Sequence, residues 1–415
     1  MQIVKKHRLF GIVIMFLFMF DISFVNIPTI LSTRKIAFLI LILKTIFSKI
    51  IINKKDFEMI KKLFLANVLI FLYVLCITFI ESVWFHEHSI IPRYSYFLLY
   101  TICGSILLIL QYDSEYDFFE DVIGSMWIQS IIIFFEFFSL SFKEILQKYF
   151  NSAGNVEFSR IERGTGLGAE AAALTMLLFL GVFCCNYIMV TKKVSIKYIF
   201  PQIVFMSAMF LVGRTGLYIS LILIIFTVLY LSVKKHKFNQ ALKIIILITF
   251  GVLIGLLIMK NSMTVQQYNR FFNKIMSAIR NFLNDTSVIE LSNMSVPALS
   301  INTMIGTGVY RGYSSTGLFI WNDSGYIQMY SALGLIYTVI FYTTLFCFYK
   351  KIIDNIRHFS RKTNVLFFSI YVIIIFIVEC KEPFIFKYII PLFGIVSVCL
   401  CNKRIEVEYK CVTTI

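Results

Sequence analysis

The residues placed to do chemistry in this chain are the few charges that interrupt long apolar runs. Arg214 lies in FLVGRTGLYISL, residues 210–221, between the apolar runs 198–212 and 217–233, with no Asp or Glu nearby in sequence. A charge at that depth is expensive in hydrocarbon and marks either an interface or a functional position. Two roles fit it. The guanidinium snorkels to the membrane surface, or it closes the floor of an outward-facing cavity and binds a phosphate, a task suited to a permanently charged, planar fork of donors. Gly213 and Gly216 are expected to permit a tight turn around it.

Two further stretches carry candidates. In FSRIERGTGLGAEAAALTMLLF, residues 158–179, Arg160 and Arg163 precede a glycine-rich turn that opens an apolar run. Backbone N–H groups at such a helix start favour anions, and the absence of a βαβ pattern excludes a dinucleotide fingerprint. Glu170 falls in the first turn of that run, where it complements the helix dipole or takes part in proton transfer. In GTGVYRGYSSTGLFIWNDSGYIQMYSALGLIY, residues 306–337, Tyr310, Arg311, Trp321, Asp323 and Tyr326 cluster among glycines. The aromatic residues form an interfacial belt or a platform on which sugar rings stack. Arg311 with Asp323 supplies one cation and one carboxylate.

The other polar residues point to no metal and no cofactor. His86 and His88 in WFHEHS lack a further ligand with metal-site spacing. The nine cysteines lie mostly in apolar runs, without a disulfide framework. Asp21 and Glu136 are expected to face the protein interior, Lys44 to snorkel, and Glu379, Lys381, Glu382 and Lys387 of ECKEPFIFK to pair with one another.

Membrane-spanning helices must position these residues. The chain has 415 residues, of which 59% are hydrophobic, and its mean hydropathy is +0.82, beyond what a soluble core accommodates. At about 20 apolar residues per crossing, about twelve spans emerge, at 9–27, 36–52, 63–82, 94–112, 122–140, 169–190, 198–213, 215–233, 241–259, 324–349, 364–379 and 384–401. The first is expected to be retained, since no small-residue cleavage site follows it. The net charge of +16 does not imply nucleic acid. Its lysines and arginines concentrate in KKHR, KIIINKKDFEMIKK, TKKVSIK, KKHKFNQ, KKIIDNIRHFSRK and NKRIEVEYK, all on one side if both termini are cytoplasmic. The opposite side then holds two loops, 141–168 and 260–323. Within the second, residues 268–283 have an amphipathic helical pattern suited to the membrane surface or to the protein's own spans.

In this order, RGTGLGAEAAAL, VGRTGL and NDSGYIQMYSALGLIY resemble motifs of the O-antigen polymerase (Wzy) and O-antigen ligase superfamily. The topology, with a large extracytoplasmic loop between the ninth and tenth spans, is similar along the whole chain. The matches carry across Arg163, Glu170, Arg214, Asp323, Tyr326 and Gly334. Ligases tend to have a histidine near the position of Asp323, and residues 260–323 contain none, which favours a polymerase.

The resemblance implies an all-α polytopic membrane fold of the GT-C type in the bacterial cytoplasmic membrane. It implies a metal-independent glycosyltransferase acting on undecaprenyl-diphosphate-linked oligosaccharide at the outer leaflet, with a polysaccharide chain-length regulator as a possible partner. Arg214, Glu170 and Asp323 would then be catalytic. Arg163, Arg311, Arg160, Tyr326, Trp321 and Tyr310 would bind substrate. The rival from a different class is a flippase or transporter of the same lipid-linked substrate, although no pair of similar halves is visible.

Overall fold

The computed structural model describes residues 2–25, 31–47, 54–151, 166–168, 171–234, 237–262, 296–313, 319–320, 322–359 and 362–413. In chain order the first elements are α1 (Gln2–Phe20), β1 (Ser23–Phe24), α2 (Thr33–Phe47), α3 (Lys54–Ile80), α4 (Ile90–Tyr96), a π-helical stretch (Phe97–Cys103) and α5 (Gly104–Gln111). Next come α6 (Glu115–Phe138), α7 (Leu140–Tyr149), β2 (Phe150–Asn151), α8 (Ala171–Thr191), α9 (Ile196–Val212), α10 (Thr215–Val233) and α11 (Phe238–Ser262). The last are α12 (Ile301–Ile305), β3 (Gly312–Tyr313), β4 (Phe319–Ile320), α13 (Gly325–Phe359), α14 (Lys362–Val378), a 3-10 turn (Phe384–Lys387) and α15 (Ile389–Thr413).

Among the described residues six helices are long and apolar enough to cross a membrane: Phe57–Ile80, Ile90–Gln111, Glu115–Phe138, Ala172–Thr191, Thr215–Val233 and Gly325–Arg357. Arg8–Phe20, Ile196–Val212, Phe238–Gly251 and Lys362–Val378 are shorter apolar helices. The two remaining runs expected from the sequence fall on α2 and α15. Large apolar side chains such as Leu69, Ile222, Phe250 and Ile377 stand exposed along these helices, where water would penalise them and lipid would not. The chain is an all-α, multi-pass membrane protein.

The molecule divides into two compact units, Met1–Phe47 with Tyr116–Ser277 and Ser48–Glu115 with Ala278–Ile415. In the first, α8 packs against α9 and α10, and its apolar window is buried throughout. Lipid tails are as apolar as leucine, so such helices are held by close backbone approach and by hydrogen bonds. Gly216 supplies both. Its N–H donates to Thr175 Oγ1 at 3.2 Å, and a side chain there would overlap the Thr175 carbonyl oxygen. The α1–α2 hairpin is locked by Arg34, which donates to the carbonyls of Phe18 and Met19 and pairs with Asp21 at 3.0 Å. These contacts satisfy carbonyls at the end of α1 that have no helical partner. Glu120, in the second turn of α6, gathers Arg8, Lys197 and the Tyr198 hydroxyl.

In the second unit α13 packs against α3, α14 and α15, and α15 packs against α5. Its buried tyrosines have partners: Tyr349 and Tyr371 donate to the carbonyls of Pro391 and Ile390. The long α13 is broken at Gly334, whose φ of 77° and ψ of 167° are not helical. The break frees the carbonyls of Ser331 and Ala332, which accept instead from the N–H groups of Thr307 and Gly308, each at 3.0 Å. Thr338 Oγ1 bridges the break to the Met329 carbonyl at 2.9 Å. An irregular backbone is tolerated in a membrane protein only when its polar groups are satisfied internally in this way. The strap 306–310 continues to the loop before α4, where Ile90 N–H bonds the Gly308 carbonyl and Tyr310 N–H bonds the His88 carbonyl.

The described parts of the two polar loops hold regular structure. Loop 141–168 begins inside helix α7, which Ser139 caps through the Phe142 N–H, and β2 pairs with β1. Loop 260–323 contains α12, capped reciprocally by Ser300 and Thr303, and the β3–β4 hairpin. The amphipathic stretch 268–283 lies outside the described residues.

Candidate functional site

Arg214 stands in the first unit, at the N-cap of α10, half-buried and without a side-chain capping bond. The turn before it does not need a flexible glycine at Gly213, whose φ of −170° is ordinary extended backbone. The sequence requirement sits at Gly216, through its close approach to α8. Nearby in sequence, the glycine turn 166–168 is pinned to α6: Gly166 N–H donates to Glu136 Oε2 at 2.6 Å, and Gln129 Nε2 donates to the Leu167 carbonyl at 3.2 Å. Glu136 is thus buried as an acceptor for backbone, as its expected interior position requires. Arg160, Arg163, Glu170 and Trp321, all named from the sequence, lie outside the described residues.

The second unit holds Tyr310, Arg311 and Asp323 in one polar cluster before the start of α13, while Tyr326 turns to Tyr342 and the Phe376 carbonyl. The Asn322 Oδ1 accepts from the Ser324 N–H at 2.8 Å, an Asx turn that leads into the helix. The Asn322 carbonyl accepts from Gln328 Nε2 at 2.8 Å. Gln328 Oε1 in turn accepts from Arg93 Nη1 at 2.8 Å. The Arg93 guanidinium lies over the Tyr310 ring, 3.4 Å from its centroid, and His88 meets the same ring edge-on at 5.5 Å. A stacked cation of this kind is worth about 0.5–2 kcal/mol. Arg311 reaches Asp323 at 3.9 Å, and the Asp323 side chain is 57% exposed. Such a pair contributes about 0–1 kcal/mol, so it orders the side chains weakly and leaves them accessible.

Behind this cluster is a buried carboxyl. Glu379 follows the last residue of α14 and is fully buried. Its Oε1 accepts from the Tyr342 hydroxyl at 2.9 Å and its Oε2 from the Ile385 N–H at 2.8 Å. Burial pushes the carboxyl up to about 8, against the opposing pull of these two donors and of the Arg93 charge. Pairing with the neighbouring lysines was expected for Glu379; tyrosine and backbone hold it instead. Tyr326 packs its ring 4.6 Å from that of Tyr342 and donates its hydroxyl to the Phe376 carbonyl at 2.8 Å.

Sequence reasoning missed Arg93, Gln328 and Tyr342. Arg93 carried a usable signal: it follows Pro92 at the entrance of a long apolar run, the rule that singled out Arg214. Gln328 and Tyr342 carried none, being a neutral polar residue and an aromatic residue within a span. His86 and His88 have ring centroids 6.1 Å apart, and among the described residues no three His, Cys, Asp or Glu side chains gather around a point that could hold a metal ion. No protein-family model, no curated protein and no solved structure matches this chain.

Proposed function

We propose that this protein is a glycosyltransferase that polymerises undecaprenyl-diphosphate-linked oligosaccharide repeat units into surface polysaccharide at the outer leaflet of the bacterial cytoplasmic membrane. The twelve-span, GT-C-like topology and a chain-length regulator as partner belong to the same proposal. The observation that carries it is the cluster at the start of α13, where Arg311 and an exposed Asp323 stand beside Tyr310 and the stacked Arg93. Transfer requires an acceptor hydroxyl to attack the anomeric carbon while the bond from that carbon to the diphosphate oxygen breaks. The departing diphosphate takes the electron pair and needs a cation; Arg214 is the first choice for that role, with Arg163 and then Arg311 as the alternatives. The hydroxyl proton needs an acceptor, and the Asp323 carboxylate, exposed and only loosely paired, is assigned it, with Glu170 as the alternative. Tyr310 and Trp321 are assigned to stack sugar rings, and Arg160 and Tyr326 to line the substrate.

The test is polysaccharide chain length in cells that carry Arg311→Ala or Asp323→Asn, with membrane levels of each variant measured alongside. Loss of a charge-stabilising contact in such a site lowers the rate about 10²–10³-fold, so long polymer should disappear. Normal polymer from both variants would remove the cluster from the reaction. The break in α13 favours a second reading, a transporter of the same lipid-linked substrate, since discontinuous helices often form transport sites. Purified protein that moves the lipid-linked repeat across vesicles without elongating it would select that reading.

A further inference from the structure

We propose that Arg93 and Glu379 form a proton-linked oxyanion site, in which an anion binds the guanidinium while the buried carboxyl is protonated and is released as that carboxyl ionises. The guanidinium is fixed in orientation by its stack on Tyr310 and its bond to Gln328. A guanidinium has five N–H donors. Among the described residues one is used, by Gln328, and no carboxylate pairs with Arg93. A half-buried cation held in this way presents a ready fork to a carboxylate, phosphate or sulfate.

Glu379 is the complementary half. Both its oxygens are engaged by Tyr342 and the Ile385 N–H, which fix its position, and among the described residues it makes no ion pair. Arg93 and Glu379 nonetheless act on each other electrostatically. Among the described residues the other titratable or charged groups facing the site are Tyr326 and Tyr342 of α13, Cys380 beside Glu379, His88 in the loop before α4, Tyr310 on the strap, and the Arg311–Asp323 pair. With the carboxyl protonated, no carboxylate among the described residues pairs with Arg93, since Asp323 turns to Arg311, and the guanidinium attracts an anion. Once Glu379 ionises, its charge competes with the ligand for the same guanidinium. Linkage then requires anion binding to take up a proton. Burial places the change near pH 8, above the ordinary glutamate range.

Sulfate is the probe, because it stays fully ionised across this window and any pH dependence must come from the protein. The full chain in neutral detergent is titrated calorimetrically at pH 7 and pH 9. Wild type should bind sulfate about fivefold or more weakly at pH 9. Glu379→Gln should bind at pH 7 as wild type does and hold that affinity at pH 9. Arg93→Gln should lose binding at both values, and Arg93→Lys, which keeps the charge and guards against misfolding, should weaken it several-fold through loss of the fork. Undetectable binding by wild type at pH 7, unchanged binding by Arg93→Gln, or an unchanged pH slope in Glu379→Gln would each overturn the proposal. A second arm distinguishes the anion's source. Weaker sulfate binding in phosphatidylcholine nanodiscs than in a neutral, phosphate-free detergent supports the site with a lipid phosphate as occupant, and equal binding supports it with a soluble anion. Neither arm needs sugar transfer, so the inference stands or falls apart from the proposed polymerase activity.

Discussion

At the scale of single residues, the informative positions are ionisable groups inside or beside apolar helices. Arg214 and Arg93 obey the same rule, yet only the first stood out in the sequence, because it is flanked by apolar runs on both sides. Glu379 was legible as a charge but not in its role: the adjacent lysines pointed to pairing, while Tyr342, 37 residues earlier, supplies its hydrogen bond. Two predictions belong here. If Arg214 contacts a diphosphate, Arg214→Ala abolishes polymer and Arg214→Lys recovers part of it, since lysine keeps the charge and loses the planar fork. Near-normal polymer from the alanine variant, at normal protein level, would reduce Arg214 to an interfacial anchor. The second concerns stability. The folded protein holds the Glu379 proton up to about pH 8, whereas the unfolded chain releases it in the ordinary glutamate range. Stability from this group is therefore full below that range and is lost as pH rises through about 8, by on the order of a few kcal/mol. Thermal unfolding in detergent between pH 5 and pH 9 should show this decline in wild type, and a flatter curve in Glu379→Gln.

At the scale of elements, helices were readable because a bilayer imposes a minimum apolar length, and among the described residues six helices reach it. What was not readable is where a helix is interrupted by a partner distant in sequence. Gly334 sits in an apolar run like any other small residue. Its left-handed backbone exists because the strap 306–308 supplies donors for the carbonyls it frees. The β1–β2 pairing, which joins residues 23–24 to 150–151, is illegible for the same reason. The break also explains why glycine is required at 334. An added Cβ would meet the Met304 and Ile305 carbonyls in a backbone conformation that side chains avoid. Gly334→Ala should therefore destabilise the protein by about 1–3 kcal/mol, despite the better helix propensity of alanine. Thermal unfolding of the purified variant measures it. A gain in stability would mean that the helix prefers to run straight and that the strap is incidental.

At the scale of the whole molecule, fold class was the most legible property, since composition alone forces a membrane environment. The candidate site was legible in part: Arg311 and Asp323, twelve residues apart in sequence, do meet, but the aromatic stack, the glutamine relay and the buried carboxyl behind them arise from long-range packing. Sidedness rests on charge bias, and it can be tested at positions the structure exposes. Lys234 caps the C-terminus of α10 and is the first residue of the basic KKHK stretch, and Ala298 precedes α12; both side chains are exposed. The lysine-rich side faces the cytoplasm if the positive-inside rule holds. Cys76, Cys347 and Cys380 are themselves exposed, so single cysteines must be placed in a cysteine-free background. A membrane-impermeant maleimide applied to intact cells should then label Ala298→Cys, whereas Lys234→Cys should react only after permeabilisation. The reverse pattern would put the α13 cluster on the cytoplasmic face. An undecaprenyl-linked repeat is elongated at the outer leaflet, so that outcome would also end the polymerase reading, while the sulfate site at Arg93, which depends on no orientation, would stand.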